Sequence, residues 1–352
     1  ERPMIMSLRI WMRKILAGAV LCALLAPLPA LAQQEAPPRA LLQGTFIQLN
    51  NAHHHWAEDD WERLFGDFRS LALSQLVIQW TVYDNTAFYL SEEDRGKGTP
   101  PLEAILQRAD AAGLRVRVGL VHEPQYWEKI SRRRIASVSA YLRQSRYRSL
   151  QVARELHPRL IAHPSFCGWY IPEEIDDVNW LEPERRQALF EHFAELTAAL
   201  RQLAPQAEIA LSGFSNANTD PVAFEKFYTG LLQAAAADVV LLQDGIGVQK
   251  LDLEYLELYL AAMRRAADAH GRDLQVVVEL FRQVEGPPLD DQPFKAIPAP
   301  LGRIRRQIEL ASRYSTAGVM AFSVPDYMSS SAGPEARQLL QDYLKTFSAA
   351  EK

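Results

Sequence analysis

Two apolar stretches of this 352-residue chain end in carboxylates. The first, Phe166-Cys167-Gly168-Trp169-Tyr170-Ile171-Pro172-Glu173-Glu174-Ile175, closes on two adjacent glutamates. The second, Leu274-Gln275-Val276-Val277-Val278-Glu279-Leu280-Phe281, carries one more. An ionised glutamate in a buried strand needs a partner or a task. Two carboxylates facing each other across a pocket suit cleavage of a glycosidic bond. One, as acid, protonates the leaving oxygen; the other attacks the anomeric carbon or activates water. On this reading Glu174 is the acid and Glu279 the nucleophile. Glu173 completes the catalytic group as a structural or substrate-orienting carboxylate. The competing explanation for Glu279 is a structural ion pair with an arginine such as Arg282, because ion-pair networks also gather carboxylates.

Those strands belong to a regular series. Apolar runs at 44–49, 76–80, 116–121, 166–175, 208–214, 238–245, 274–281 and 318–325 read as eight strands. Between and after them, apolar residues at helical spacing, with prolines early in several segments, predict helices near 58–73, 100–113, 135–160, 183–203, from Pro221, 252–270, 304–314 and 334–347. Strands apolar on both faces and alternating with helices imply a parallel sheet. Eight such units predict an α/β fold of one domain, a single (β/α)₈ TIM barrel over residues 43–350. The alternative, a doubly wound open sheet, lacks the glycine-rich fingerprint after its first strand.

In such a barrel the active site lies at the carboxyl ends of the strands. Beyond the catalytic glutamates, those ends supply candidate substrate-binding groups: Gln48, Asn50, Gln79, Trp80, Tyr83, His122, Glu123, Trp127, Ser212, Phe214, Gln243, Asp244, Phe281, Ser323, Asp326 and Tyr327. Asp176 and Asn216 sit at the same ends. Aromatic faces stack on sugar rings and amides grip hydroxyls. Asp244 reads equally as a sugar ligand or as the cap of a turn. The run His53-His54-His55 has no second ligand cluster at metal spacing, so neither a metal nor a cofactor is expected. Arg132-Arg133-Arg134 with Arg143, Arg146 and Arg148 reads as a solvated helix face, or as a guide for an anionic polysaccharide.

The first 32 residues have the anatomy of a secretory signal peptide. A basic start from Met6 precedes the apolar run Ile15–Leu28 and a small-residue cleavage signal, Ala30-Leu31-Ala32. The apolar run is too short for a membrane span. Residues 33–42 then form a leader, and the expected location is periplasmic or secreted. Cleavage after Ala32 changes the net charge from −5 to −8 and removes Cys22, leaving Cys167 without a disulfide partner. An acidic chain of this kind carries no signature of nucleic-acid or anionic-membrane binding. Nothing in the sequence specifies an oligomeric state.

Four motifs carry a resemblance. They are Gly44-Thr45-Phe46-Ile47-Gln48, Gly168-Trp169-Tyr170-Ile171-Pro172-Glu173-Glu174, Leu242-Gln243-Asp244-Gly245-Ile246-Gly247-Val248 and Val278-Glu279-Leu280-Phe281. Together they resemble the domain-of-unknown-function 4434 family of glycoside-hydrolase-like barrels, over nearly all of the chain after the signal peptide. Carboxylates after strands four and seven are also similar to the large retaining glycosidase clan with that arrangement, although Glu173 stands where that clan usually carries Asn. The resemblance implies a glycoside hydrolase acting on an oligo- or polysaccharide by a retaining two-carboxylate mechanism. The alternative is a carbohydrate-binding barrel without hydrolysis, accessory to polysaccharide export.

Overall fold

The computed structural model describes residues 41–90, 99–131 and 133–348. The expected signal peptide, and the leader up to residue 40, lie outside them. Eight parallel strands close into a barrel: β1 (Leu42–Ile47), β2 (Gln75–Ile78), β3 (Arg115–Gly119), β4 (Phe166–Ile175), β5 (Glu208–Gly213), β6 (Val239–Gln243), β7 (Asp273–Glu279) and β8 (Val319–Phe322). Each strand pairs with its neighbours in sequence, and β8 closes on β1. The helices that follow them are α1 (Glu58–Ser70), α2 (Pro101–Ala112), α3 (Ile135–Leu160), α4 (Pro183–Leu203), α5 (Pro221–Ala234), α6 (Leu253–Asp268), α7 (Leu301–Tyr314) and α8 (Pro334–Ser348). The expected TIM barrel is the observed fold. No helix among the described residues is long and apolar enough to cross a membrane.

Prolines open α2, α4, α5 and α8, where the missing N–H costs nothing. The amphipathic stripe of α1 is buried through Trp61, Leu64, Phe65 and Phe68. The barrel interior is filled in layers, as this fold requires. Its floor is polar: Arg117 donates to Glu208 Oε2 from Nε at 3.0 Å and to Gln275 Oε1 from Nη1 at 2.9 Å. Gln275 in turn donates to Gln75 Oε1 at 2.8 Å, so the buried guanidinium is paired and hydrogen-bonded. Above it lies an apolar layer of Phe46, Val77, Tyr170, Ala210, Leu241, Val277 and Met320. The side chains one step further along the strands form the mouth.

The long loops add small sheets at that mouth. Val82–Tyr83, Thr86–Ala87 and Val121–His122 join the connections after β2 and β3. The connection after β7 pairs Phe281–Glu285 with Lys295–Pro298 in an antiparallel ribbon. Strand seven therefore stops at Glu279, and Phe281 belongs to the ribbon. Strand eight also ends early, at Phe322, and a short helix, Val324–Tyr327, follows.

Candidate active site

Successive side chains of a strand point to opposite faces. On β4, Tyr170 belongs to the interior layer, while Trp169, Ile171 and Ile175 pack outward under the helices. That alternation sends Glu174 inward and Glu173 outward. The contacts agree. Gln243 Nε2 at the end of β6 donates to Glu174 Oε1 at 2.7 Å. Glu173 Oε1 accepts from the Ser145 hydroxyl of α3 and lies 3.6 Å from His192 Nε2 of α4. Burial alone would push the Glu173 carboxyl up, but the contacts of His192 and Ser145 hold it below the usual carboxylate range. Glu173, grouped on sequence with the catalytic carboxylates, is thus placed among the surrounding helices and outside the cavity lining.

Glu174 and Glu279 line one cavity of about 370 Å³ at the barrel mouth, a size suited to a sugar. Trp127, Asp176, Phe214, Asn216, Gln243 and Lys250 share its wall. Trp127 comes from the short helix Tyr126–Ile130 and meets Phe214 with ring centroids 5.6 Å apart. The neighbouring Tyr126 hydroxyl donates to the Glu174 carbonyl at 2.7 Å, which ties this helix to the end of β4.

Glu279 is held by the loop after β6. Its Oε2 accepts from the backbone N–H of Gly247 at 2.5 Å and of Val248 at 3.0 Å. The loop turns at Gly245, whose φ of +66° suits glycine. Gly247 itself must lack a side chain, because a Cβ there would stand 2.8 Å from Glu279 Oε2. Two successive amides converging on one oxygen form an anion-binding concavity. The feared ion pair with Arg282 is absent among the described residues, although Arg303 Nη2 donates to the Glu279 carbonyl at 2.9 Å.

Asp244 lies behind Glu279, fully buried. Its Oδ1 accepts from Ile246 N at 3.1 Å and its Oδ2 from Gln307 Nε2 at 2.5 Å. It is therefore a turn-organising carboxylate, outside the cavity lining. Burial first, and then the Asp244 carboxylate, push the Glu279 carboxyl up; the Gly247 and Val248 amides and Lys250 pull it back. Burial also pushes Glu174 up, against the Gln243 amide and Lys250.

Sequence reasoning missed Lys250. It stands in a loop with no periodic pattern, and only the fold brings it to the cavity. Its ammonium sits 3.5 Å from the centroid of the Phe214 ring, a cation–π contact. No carboxylate lies at ion-pair distance from it among the described residues. Burial lowers its pKa, while Glu279, Glu174, Asp176 and Asp177 raise it.

The other candidates spread around the mouth without lining this cavity. Trp80 donates from Nε1 to the Leu49 carbonyl at 2.7 Å and stacks on His122 at 4.8 Å, with Tyr83 at 5.1 Å. Gln79 is buried and its Oε1 has no hydrogen-bond partner. Glu123 is paired with Arg148, Glu195 with Arg146 and Glu128 with Arg133, so half of the basic run is neutralised within the molecule. Ser212 shares a hydrogen bond with Tyr170 at 2.7 Å, beneath the cavity. Asp326 accepts from Ser323, and Tyr327 packs on Phe281 at 5.0 Å. Asn50 caps the turn Asn51–His55, accepting from Ala52 N at 3.0 Å, and Gln48 is half-buried just before it. Of the three histidines, His53 is packed between Trp56 and Trp61, and burial takes its pKa down to about 4.

Asp177 organises the loop that carries Phe214 and Asn216. Its carboxylate accepts from Ser215 Oγ at 3.0 Å and from the backbone N–H groups of Asn216, Asn218 and Thr219 at 2.8, 3.0 and 3.1 Å. Asp177→Ala takes their buried acceptor away from these donors. A loss of about 3 kcal/mol is expected, from hydrogen bonds to a charged group and the desolvated donors left behind. Chemical denaturation measures it, and an unchanged unfolding midpoint would contradict the role assigned to Asp177.

The comparisons with known proteins agree with this architecture. Residues 42–338 match the family model described as "Domain of unknown function (DUF4434)". The "Uncharacterized protein YbcH" of Escherichia coli (strain K12) is 30% identical over 247 residues, which span 68% of this chain and 77% of that protein. Among solved structures, a "putative alpha-L-fucosidase" from Bacteroides thetaiotaomicron VPI-5482 superposes with a TM-score of 0.68 at 18% identity. That match covers 88% of this chain and 95% of the other. A beta-galactosidase from the psychrophilic Marinomonas ef1 gives a TM-score of 0.55 at 11% identity, over 87% of this chain and 59% of its own. At such identities the likeness shows the fold, a glycoside-hydrolase-like TIM barrel.

Proposed function

This chain belongs to the DUF4434 family, and from that footing and the cavity geometry we propose that it is a periplasmic or secreted glycoside hydrolase. Its substrate is an oligo- or polysaccharide, and its mechanism retains configuration. The observation that carries the reading is that Glu174 and Glu279, from β4 and β7, line the same sugar-sized cavity, each held by its own donors. Gln243 links the two. Its side chain holds Glu174, and its strand is registered against that of Glu279 through Val277.

Glu174 is the acid/base. It is half-buried, and its raised pKa keeps a proton available for the leaving oxygen. Glu279 is the nucleophile. It attacks the anomeric carbon as the bond to the leaving oxygen breaks; water, deprotonated by Glu174, then releases the sugar. Trp127 and Phe214 supply flat faces for the ring, and Asn216 and Asp176 supply polar groups for its hydroxyls.

The nucleophile must be ionised, and Asp244 bears on that. Two amide N–H donors occupy Glu279 Oε2 and favour its charged form. The buried Asp244 carboxylate works the other way and, with burial, raises the Glu279 pKa. kcat/KM therefore falls as pH drops through the raised Glu279 pKa. Asp244→Asn removes one of the two causes of that rise, so the acid limb of the pH profile moves to lower pH. The basic limb, set by Glu174, stays in place. An unmoved acid limb would disprove the coupling.

The test of the function is a panel of glycans assayed with wild type, Glu174→Gln and Glu279→Gln, with the anomeric configuration of the first product followed by NMR. Turnover with retention that is lost in both variants is the expected result. Turnover surviving both changes would refute the mechanism, and binding without turnover by the wild type would mark a carbohydrate-binding barrel.

A further inference from the structure

Beside the first cavity lies a second, of about 650 Å³, and Lys250 forms part of the wall of both. The second is bounded by the loop after β6, the start of α6 and the start of α7. Its charged lining is Lys250, Arg303, Arg306 and Asp252. The one carboxylate is engaged elsewhere: Asp252 Oδ1 caps α6, accepting from Glu254 N at 3.0 Å and Tyr255 N at 2.9 Å. The three cations have no carboxylate at ion-pair distance among the described residues. Arg303 spends Nη2 on the carbonyls of Glu279 and Phe281, and its buried Nε has no partner. Arg306 is exposed at the rim. Tyr255, 58% exposed, offers a ring face at the edge.

A sugar-sized hollow lined by unpaired cations, with a ring at its rim, is built for an anion carried on a sugar. In the basic run at α3, by contrast, Arg146 and Arg148 already have glutamate partners. We infer that the second cavity is a subsite for the anionic substituent of a sugar unit adjoining the one in the first cavity, so that the substrate is an acidic glycan. This rests on the glycoside-hydrolase reading of the first cavity. Lys250 then faces the bound anion from one side and the two glutamates from the other, which explains why an ammonium with no ion-pair partner is kept there. Carboxylates of uronic acids and sulfate esters share this chemistry, and guanidinium groups recognise both through paired N–H donors.

The experiment is binding, not turnover, and uses the full chain carrying Glu279→Gln so that hydrolysis does not intrude. The probes are the tetramers of galacturonate, glucuronate and mannuronate, each beside its neutral methyl ester. A sulfated carrageenan tetramer beside neutral agarotetraose forms the second arm. At least one acidic probe is expected to bind ten-fold or more tightly than its neutral counterpart at low salt, with the ratio shrinking at high salt. Adding Arg306→Gln, an exposed change that spares the fold, lowers that ratio about five-fold and leaves neutral binding unmoved. A preference confined to one arm identifies the anion as carboxylate or sulfate. If every neutral probe binds as tightly as its acidic partner, or if Arg306→Gln leaves the ratio unchanged, the subsite is refuted. Cleavage of neutral glycans by wild type would still support the hydrolase in that case. Conversely, tight acidic binding with no turnover by wild type would sink the hydrolase and keep the subsite.

Discussion

Glu174→Gln is expected to lower kcat/KM on natural glycans about 1,000-fold, within the range that a positioned general acid contributes. The substitution is nearly isosteric and keeps an acceptor oxygen for the Gln243 amide, so the cavity holds its shape. The loss should depend on the leaving group. An aryl glycoside that expels nitrophenolate needs no proton, so its bond-breaking step should fall far less. Added azide should speed the second step, since an anion needs no general base to attack the glycosyl-enzyme. Glu279→Gln behaves differently. It removes the attacking atom, and the loss is about 10,000-fold or more on good and poor leaving groups alike, on the scale seen when one member of a catalytic unit is deleted. The pattern identifies the roles, and activity assays on the two substrate types read it directly. Equal losses of Glu174→Gln on both substrates would remove it as the acid, and a leaving-group dependence in Glu279→Gln would exchange the assignments.

The barrel was legible because the βα units repeat the same physical signals: an apolar run, then a helix with one apolar stripe, opened in several units by a proline. The two carboxylates were legible because a charge within an apolar run is costly. Which of Glu173 and Glu174 faces the cavity was not. Strand β4 is apolar on both faces, with Trp169 directed outward and Tyr170 inward, so neither aromatic marks the core side. The mouth aromatics were hard to place for a related reason. Trp80 and His122 satisfy each other by stacking, and a sequence does not tell a ring that packs on its neighbour from one left open to a sugar. Lys250 and the amides of Gly247 and Val248 were invisible because a loop has no period. Their placement follows from how residues 244–251 fold back over the end of β7, a tertiary fact. Gly245-Ile246-Gly247 was the one available hint, since a second glycine so close to a turn points to a close approach of backbone.

Gly247→Ala tests that approach. A Cβ at this position would stand 2.6 Å from the Phe281 carbonyl, 2.8 Å from Glu279 Oε2 and 2.9 Å from Glu279 Cβ. None of the three can yield easily. The Phe281 carbonyl is held by Arg303, and Gln283 N binds the Gly247 carbonyl at 2.9 Å. The loop must therefore move, and with it the two amides that hold the nucleophile. A loss of about 100- to 1,000-fold in kcat/KM is expected, the range for removing a preorganised donor from a developing or resident charge. Overpacking adds a stability loss of about 1–3 kcal/mol. The sign of the pH effect separates this from simple damage. The amides favour the ionised Glu279, so losing them raises its pKa further, and the acid limb of the profile moves to higher pH. Asp244→Asn moves the same limb the other way. Two substitutions on one short loop with opposite displacements of a single limb would locate the titrating group at Glu279, whereas a Gly247→Ala enzyme with wild-type activity and an unmoved limb would show that the carboxylate needs no support from the loop.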